Sequence, residues 1–535
     1  MTALKVIPNA KDRAAALALI GGTYVLEGDD DKGIAYLSKA SDALDAAVGD
    51  ARVDAFLSNS PDAAEWASSA FDTLLQLLVK HGRYEEAFAV SERARARVFL
   101  QMLGNAHVSP RGAGNTLPAQ EAETLRMQLM QWQQQARLTP ARQIDDDIRQ
   151  ARRQYEALMT RVKAANPDYA AMTGVEPLQL DAIRQELPPN TTLVNYFVTT
   201  NGVHAWVLDR TMLQYVPLPF EPTDLARADC AARQFRAGGR GVRRLDEPCE
   251  PATVEDLYGR LFAPLRAHIR NPRLIIVPHG LLHYLPFGAF RDPGTERYLI
   301  ENYTITYAPS ASSIRFLRGK ETPVKGRALV IGAPAGVLPE LPGAMREAMM
   351  VGAELRSVPM VGAAAKESLL YQLKGDVDLV HIAAHGFYEP DTPLFSRLAL
   401  AAGDGSDGNL EVHEILSDVD LTGVNLVVLS ACQTALGKDS AGDKIVGLTR
   451  ALLYAGTPGV ISTLWNIGDD AAVALMNDFY CQLLHGESAA DALRHAQLQL
   501  LHGDYPDPRQ WAAFTLNGNP EGRWNASCVI TATGK

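Results

Sequence analysis

Two residues of this chain stand where thiol chemistry needs them. His385 follows the apolar run Val377–Ala384 and precedes Gly386, and Cys432 follows the run Val424–Ala431 within Ser430-Ala431-Cys432-Gln433-Thr434. Nearly continuous apolar runs of this length read as parallel strands covered on both faces. In open α/β sheets, reactive groups gather beyond the carboxyl ends of such strands. A thiol at neutral pH is mostly protonated and weakly nucleophilic. An imidazole within reach takes its proton or, as imidazolium, steadies the thiolate. The thiolate can attack a peptide carbonyl, and the imidazole can then protonate the departing amine. The oxyanion that develops needs aimed donors. The backbone N–H groups of Gly386 and Cys432 are the candidates, because the chain leaves the sheet at both points.

Each residue alone has a plainer reading. A cysteine at a strand end is usually small apolar filler, and a histidine among apolar residues is usually structural. Their joint placement at two strand ends favours the nucleophile. His381 lies inside its strand and is assigned to packing; Cys481 lies in a helix and is assigned to the core. Cys230, Cys249 and Cys528 have no strand-end histidine beside them. Five cysteines in 535 residues are too sparse for a disulfide framework, and without a C-x-x-C pair no structural zinc is expected. Gly403 to Gly408 satisfies G-x-G-x-x-G but opens no clear βαβ unit, so it reads as a loop. His413-Glu414 lacks the second histidine of H-E-x-x-H, and there is no Walker A run or G-x-S-x-G elbow. No metal and no cofactor are expected.

The elements that must hold this pair come from segments 321–535. Strands are expected at Ala328–Ile331, Val377–Ala384, Val424–Ala431 and Gly459–Trp465, with a short one at Arg397–Ala402. Helices are expected at Gly343–Leu355, Lys366–Leu373 and Asp443–Ala455, followed by Ala472–Leu484 and Ala489–Leu501. This alternation predicts an α/β fold with a mostly parallel sheet flanked by helices. Residues 186–320 form another α/β segment. Its strands Thr192–Val198 and His204–Leu208 flank an Asn201-Gly202 turn, a helix spans Val254–Ile269, and strands follow at Leu274–Val277 and Tyr303–Tyr307. Residues 105–185 read as linker and helical hairpin.

Residues 1–104 are all helical, with Leu17, Ile20, Gly21 and Tyr24 on one helix and Gly33, Leu37 and Ala40 on the next. That pattern fits a tetratricopeptide unit, and Leu74, Leu78, Ala87 and Ala94 fit a second. Two units leave an apolar face bare, so either further repeats precede them or the following helices act as a cap.

Lys and Arg number 51 against 62 Asp and Glu, a formal net charge of −11. This argues against a broad basic surface for nucleic acid. No apolar run approaches the ~18 residues of a membrane span, and the run Ala14–Ile20 lacks a convincing cleavage site. The reading is a cytoplasmic protein without membrane or direct nucleic-acid binding.

The blocks Asp378-Leu379-Val380-His381-Ile382-Ala383-Ala384-His385-Gly386 and Leu426 to Thr434 come in order with Gly447-Leu448-Thr449-Arg450-Ala451, Ser462-Thr463-Leu464-Trp465, Asp469-Asp470 and Trp511-Ala512-Ala513-Phe514. Val277-Pro278-His279-Gly280, Tyr284-Leu285-Pro286-Phe287 and Tyr307-Ala308-Pro309-Ser310 precede them. Over about 190 to 520 the chain resembles the CHAT family of caspase-like cysteine peptidases. These are relatives of caspases, gingipains and separase that often carry tetratricopeptide repeats. The 47-residue spacing of His385 and Cys432 is near that of the caspase pattern Q-A-C-[RQG]-G and its upstream histidine, with agreement at Ala431, Cys432 and Gln433 and departures at Ser430 and Thr434. The resemblance implies a His385–Cys432 dyad and a non-catalytic caspase-like half at 186–320, beside a catalytic half at 321–535. It also implies a cysteine endopeptidase acting on a protein substrate, in a setting of bacterial defence or regulated cell death. The repeats would bind an activating or inhibitory protein. Asp443 could line a pocket for a basic residue, although an acid near a helix start also suits the helix dipole, and the second reading is preferred. The competing function is a non-catalytic scaffold that binds partners through its repeats.

Overall fold

The computed structural model describes residues 10–45, 61–106, 124–125, 150–151, 154, 178–237, 250–318, 324–336, 341–387, 389, 392–430, 447–522 and 524. Most of the linker and hairpin expected over 105–185 falls outside them, as do Cys432 and Asp443. The chain divides into two compact units, Met1–Ile183 and Arg184–Lys535.

In the first unit, helices α1 (Ala10–Leu26) and α2 (Asp30–Asp45) form one hairpin, and α3 (Pro61–Lys80) and α4 (Tyr84–Ala106) form another. Small residues let the first pair close. A Cβ on Gly21 would stand 2.8 Å from Leu37 Cγ, and one on Gly33 would stand 2.6 Å from Val25 Cγ2. Gly82 turns the chain between α3 and α4 with φ +70°, a conformation that costs other residues about 1–2 kcal/mol. The buried stripe is Leu17, Leu37, Ala40, Leu74, Leu78, Ala87 and Phe88. Asp30 joins the hairpins by accepting from Lys80 Nζ at 2.5 Å and pairing with His81 Nε2 at 2.9 Å. Of the repeat-like positions, Leu17, Gly21, Gly33, Leu37, Ala40, Leu74, Leu78 and Ala87 are buried, whereas Ile20, Tyr24 and Ala94 are only partly so.

The second unit is built on a large sheet. Its strands are β1 (Thr191–Thr199), β2 (Gly202–Leu208), β3 (Leu213–Pro217), β4 (Arg273–Val277), β5 (Thr304–Tyr307), β6 (Ala328–Pro334), β7 (Met360–Gly362) and β8 (Leu379–Ala383). Further along the chain come β9 (His385–Phe387), β10 (Arg397–Ala399), β11 (Asn409–Glu411), β12 (Leu426–Leu429), β13 (Gly459–Thr463) and β14 (Phe514–Gly518). Among the described residues, eleven strands run in the order β3-β2-β1-β4-β5-β14-β13-β12-β8-β6-β7, and β9, β10 and β11 form a separate small sheet. Most neighbours in the large sheet are parallel. The exceptions are the β1–β2–β3 meander and the β13–β14 pair. Because β14 is parallel to β5 and antiparallel to β13, strand direction reverses there. Strands β1, β3, β4, β5 and β14 thus end on the opposite edge from β2, β6, β7, β8, β12 and β13.

Helices α5 (Pro222–Ala237), α6 (Pro342–Glu354), α7 (Val412–Asp418), α8 (Gly447–Ala455), α9 (Asp469–Leu484) and α10 (Ala489–His502) flank the sheets. Ala348 and Val351 of α6, Leu475 and Phe479 of α9 and Leu493 and Ala496 of α10 share one core with Leu379, Val428, Ile461 and Leu516 of the strands. Each fully buried Leu, Ile or Phe there contributes about 1.5–3 kcal/mol against exposure. The single helix expected at Val254–Ile269 instead breaks into an α-turn, a π-turn and a 3₁₀ stretch, with Pro264 at the start of the last. Proline removes a donor and clashes with the preceding turn. Cys230 is fully buried in α5 and is disulfide-bonded, a bond that the sparse cysteine content gave no reason to expect. Spacing alone carried no sign of that bond. Among the described residues no helix is long and apolar enough to cross a membrane.

Candidate functional site

The site is built around the parallel pair β8 and β12. Leu426 pairs with Leu379 and Leu429 with Ile382, a constant offset of 47 residues. The same offset separates His385 from Cys432. The ladder continues one step beyond the strands, where Ser430 N donates to Ile382 O at 2.9 Å. Ser430 is the last described residue before Cys432.

On the β8 side the chain bends at Ala384, and His385 opens β9 rather than a free loop. It stands opposite Ala399 of β10, half-buried, with its ring 6.0 Å from that of Phe387. Gly386 is buried and pairs with Leu398. The Arg397 guanidinium covers the Phe387 ring at 4.7 Å and donates to Glu389 at 2.7 Å. A second strand on this side escaped sequence analysis because three residues give too short a run to show alternation.

An acidic cluster backs the small sheet. Glu367 accepts from Gly408 N at 2.7 Å and from the Tyr371 hydroxyl. Burial pushes the Glu367 carboxyl up to about 7, with the Asp407 and Glu411 charges adding to the rise. Burial, with the charges of Glu367 and Glu411, also pushes Glu414 well above the usual carboxylate range. Glu411, His413 and Glu414 bring oxygen and nitrogen atoms within 4.8 Å of one another, close enough to hold a cation. Those groups are engaged within the turn from β11 to α7: His413 Nε2 is 2.8 Å from Glu411 Oε2, and Glu414 Oε2 accepts from Glu411 N at 3.0 Å. The glycine-rich run is a loop, with positive φ at Gly403, Gly405 and Gly408 and at Asp404.

His381 is fully buried as expected, yet it is not among apolar groups alone. Its Nδ1 lies 3.0 Å from the Tyr480 hydroxyl, and its Nε2 lies 3.3 Å from Glu347 Oε1. Burial raises the Tyr480 phenol well above its usual range. Glu347 is the residue that sequence analysis missed. Of the two aspartates after β13, Asp470 pairs outward with Arg346 at 2.9 Å, whereas Asp469 lies over Gly343.

Two other thiol or imidazole candidates fall away. Cys481 carries no disulfide, is only partly buried, and lies 3.6 Å from His485 Nδ1. That nitrogen is also 2.7 Å from Cys481 O, an acceptor only, so it holds a proton and is no base for the thiol. His279 follows β4 on the opposite sheet edge, where it stacks on Phe197 at 4.0 Å and its Nδ1 accepts from Val198 N at 3.2 Å.

A family model described as the CHAT domain matches residues 251–519, half of the chain. The chain belongs to the CHAT-domain family. The match begins within segment 186–320 and ends one residue after β14, so it spans the reversal of strand direction in this CHAT chain. Tetratricopeptide repeat protein 28 of Mus musculus is 28% identical over 334 residues, covering 52% of the CHAT chain and 14% of that protein. The Homo sapiens protein of the same name is 28% identical over 320 residues, 13% of its length. The chain thus spans about one seventh of these curated relatives. Among solved structures, the Saccharomyces cerevisiae separase–securin complex is similar with a TM-score of 0.40 and 10% identity, covering 97% of this chain and 47% of that one. The Arg-specific cysteine proteinase gingipain R is similar with a TM-score of 0.33 and 13% identity, covering 55% and 74%.

Proposed function

We propose that this CHAT-family chain is a cysteine endopeptidase using His385 and Cys432. The observation that carries the reading is the shared offset of 47 residues. β8 and β12 are adjacent and parallel, and the histidine and the cysteine each follow at the same distance past the paired positions. Chain segments leaving neighbouring strands at one edge supply the reactive groups of open α/β folds.

In this reading the imidazole of His385 takes the Cys432 proton, and Sγ adds to the substrate's peptide carbonyl. The N–H groups of Gly386 and Cys432 face the resulting oxyanion. Collapse breaks the C–N bond, and the imidazolium passes its proton to the amine. Water then attacks the thioester, with the imidazole as base, and the freed thiolate and the carboxylic acid close the cycle. The helical unit binds a protein that activates or restrains the peptidase.

Co-incubation of candidate protein partners with wild type and with Cys432→Ala, read as new N-termini by mass spectrometry, tests the proposal. New termini are expected with wild type alone. Identical termini from both proteins, or none in any partner bound by the helical unit, would leave a binding scaffold as the function.

A further inference from the structure

The histidine of the proposed dyad does not belong to the strand whose register sets the 47-residue offset. β8 ends at Ala383, and His385 opens β9 of the small sheet. The large sheet therefore fixes where the chain emerges, but not where the imidazole points. An imidazole turns about two side-chain bonds, and each staggered well aims its nitrogens differently. A base must sit within hydrogen-bond reach of the proton it takes. A misplacement of about 1 Å can cost on the order of 10²-fold in rate. The small sheet has to hold that ring.

Side chains two residues apart on a strand share a face. His385 and Phe387 do so on β9, with their rings 6.0 Å apart and inclined at 41°. The antiparallel register sets Ala399 opposite His385 and Arg397 opposite Phe387. The alanine methyl fills little of the space beside the imidazole, so restraint within this face comes from Phe387. The Arg397 guanidinium lies 4.7 Å over the Phe387 ring, where a cation is drawn to an aromatic face. Arg397 is itself anchored. It donates to Glu389 Oε1 at 2.7 Å. Glu389 N in turn donates at 3.1 Å to the hydroxyl of Ser396, a residue 2% exposed. The Ser396 carbonyl accepts from Val412 N at 2.9 Å, where α7 begins. A continuous line of contacts thus runs from the start of α7 through Ser396, Glu389, Arg397 and Phe387 to the imidazole. The Arg397 and Glu389 side chains are 21% and 32% exposed. A pair so open to water contributes little to stability; what it sets is a position.

We infer that Phe387 and Arg397 are positioning residues for His385: the guanidinium holds the phenyl ring, and the phenyl ring holds the imidazole in the rotamer that faces residue 432. The inference deepens the peptidase reading and rests on it for the consequence in thiol chemistry. The clamp acts through the imidazole, so its loss changes how readily residue 432 gives up its proton.

Two measurements on the full-length chain separate the clamp from the peptidase. One is the rate of alkylation at residue 432 against pH. The other is the ε1 carbon–proton magnetic resonance signal of His385 in protein labelled with ¹³C-histidine, identified by its loss in His385→Ala. Phe387→Leu removes the flat ring and keeps an apolar side chain. Phe387→Tyr keeps the ring, and Arg397→Met keeps a long stem without the charge. Wild type and Phe387→Tyr are expected to give one sharp His385 signal and an alkylation inflection well below about 8.5. Phe387→Leu is expected to broaden or split the signal, to move the inflection toward about 8.5 and to slow labelling at pH 6.5 at least about tenfold. Arg397→Met is expected to slow it about threefold, the scale of one partly exposed cation–π contact. A signal and an inflection unmoved by Phe387→Leu, or a tyrosine variant as impaired as leucine, would overturn the clamp and leave the peptidase reading standing. A His385 signal that is sharp in wild type and broadened by Phe387→Leu, beside a thiol with an ordinary inflection in wild type, would overturn the peptidase reading and leave the clamp standing.

Discussion

The acidic cluster behind the small sheet makes stability fall as pH rises through neutrality. Glu367 is held near 7 when folded against an ordinary value of 4.5. Below about 4.5 both folded and unfolded chains carry the proton, and the cluster's contribution is fully present. Between 4.5 and 7 the unfolded chain releases the proton while the folded chain keeps it, so stability falls by about 1.4 kcal/mol per pH unit. Above 7 the loss levels off at about 3 kcal/mol. Glu414, raised by the same burial, acts in the same direction. Carboxylates lowered by partners, such as Asp256 and Asp507, act only in more acid solution. Urea melts of the whole chain at pH 5, 6, 7 and 8, following the transition of the α/β unit, read the slope directly. Glu367→Gln is expected to flatten it, since the amide does not titrate. A midpoint that stays level or climbs from pH 5 to 8, or a slope kept by the glutamine variant, would refute the reasoning. Because Glu367 holds Gly408 next to β11, the same change is expected to loosen the sheet that carries His385.

Three substitutions test the packing. Gly33→Ala drives a Cβ to within 2.6 Å of Val25 Cγ2 and is expected to cost the helical unit about 1–3 kcal/mol, seen as an earlier helical transition by circular dichroism. Gly343→Ala meets the Asp469 carboxylate and is expected to cost a similar amount in urea melts. Cys230→Ser removes the disulfide and is expected to lower stability by about 2–4 kcal/mol without reductant. Wild type in reductant should then melt with the variant.

Core strands were legible because β8, β12 and β13 are continuous apolar runs, buried on both faces. Short strands were not: β7, β9 and β11 have three residues each, too few to show an alternating pattern. β14 was quoted only through the block ending at Phe514, yet it is the strand that joins the two halves and reverses their direction. The break in Val254–Ile269 had a visible cause in Pro264. Glu347 was overlooked because a glutamate in a helix reads as solvent-facing. Its signal was position: it falls on the buried stripe of Gly343, Ala348, Val351 and Gly352. Asp469 and Asp470 looked alike in sequence, and only the pairing of Arg346 separates the outward acid from the one lying over Gly343.

The pairing of His385 with Cys432 is tested most directly by the pH dependence of thiol alkylation at residue 432, followed by mass spectrometry in wild type and His385→Ala. An activated thiolate predicts labelling that persists well below the ordinary cysteine value of about 8.5, and an inflection that returns toward about 8.5 when the imidazole is removed. An inflection near 8.5 in wild type, unmoved by His385→Ala, would contradict the account.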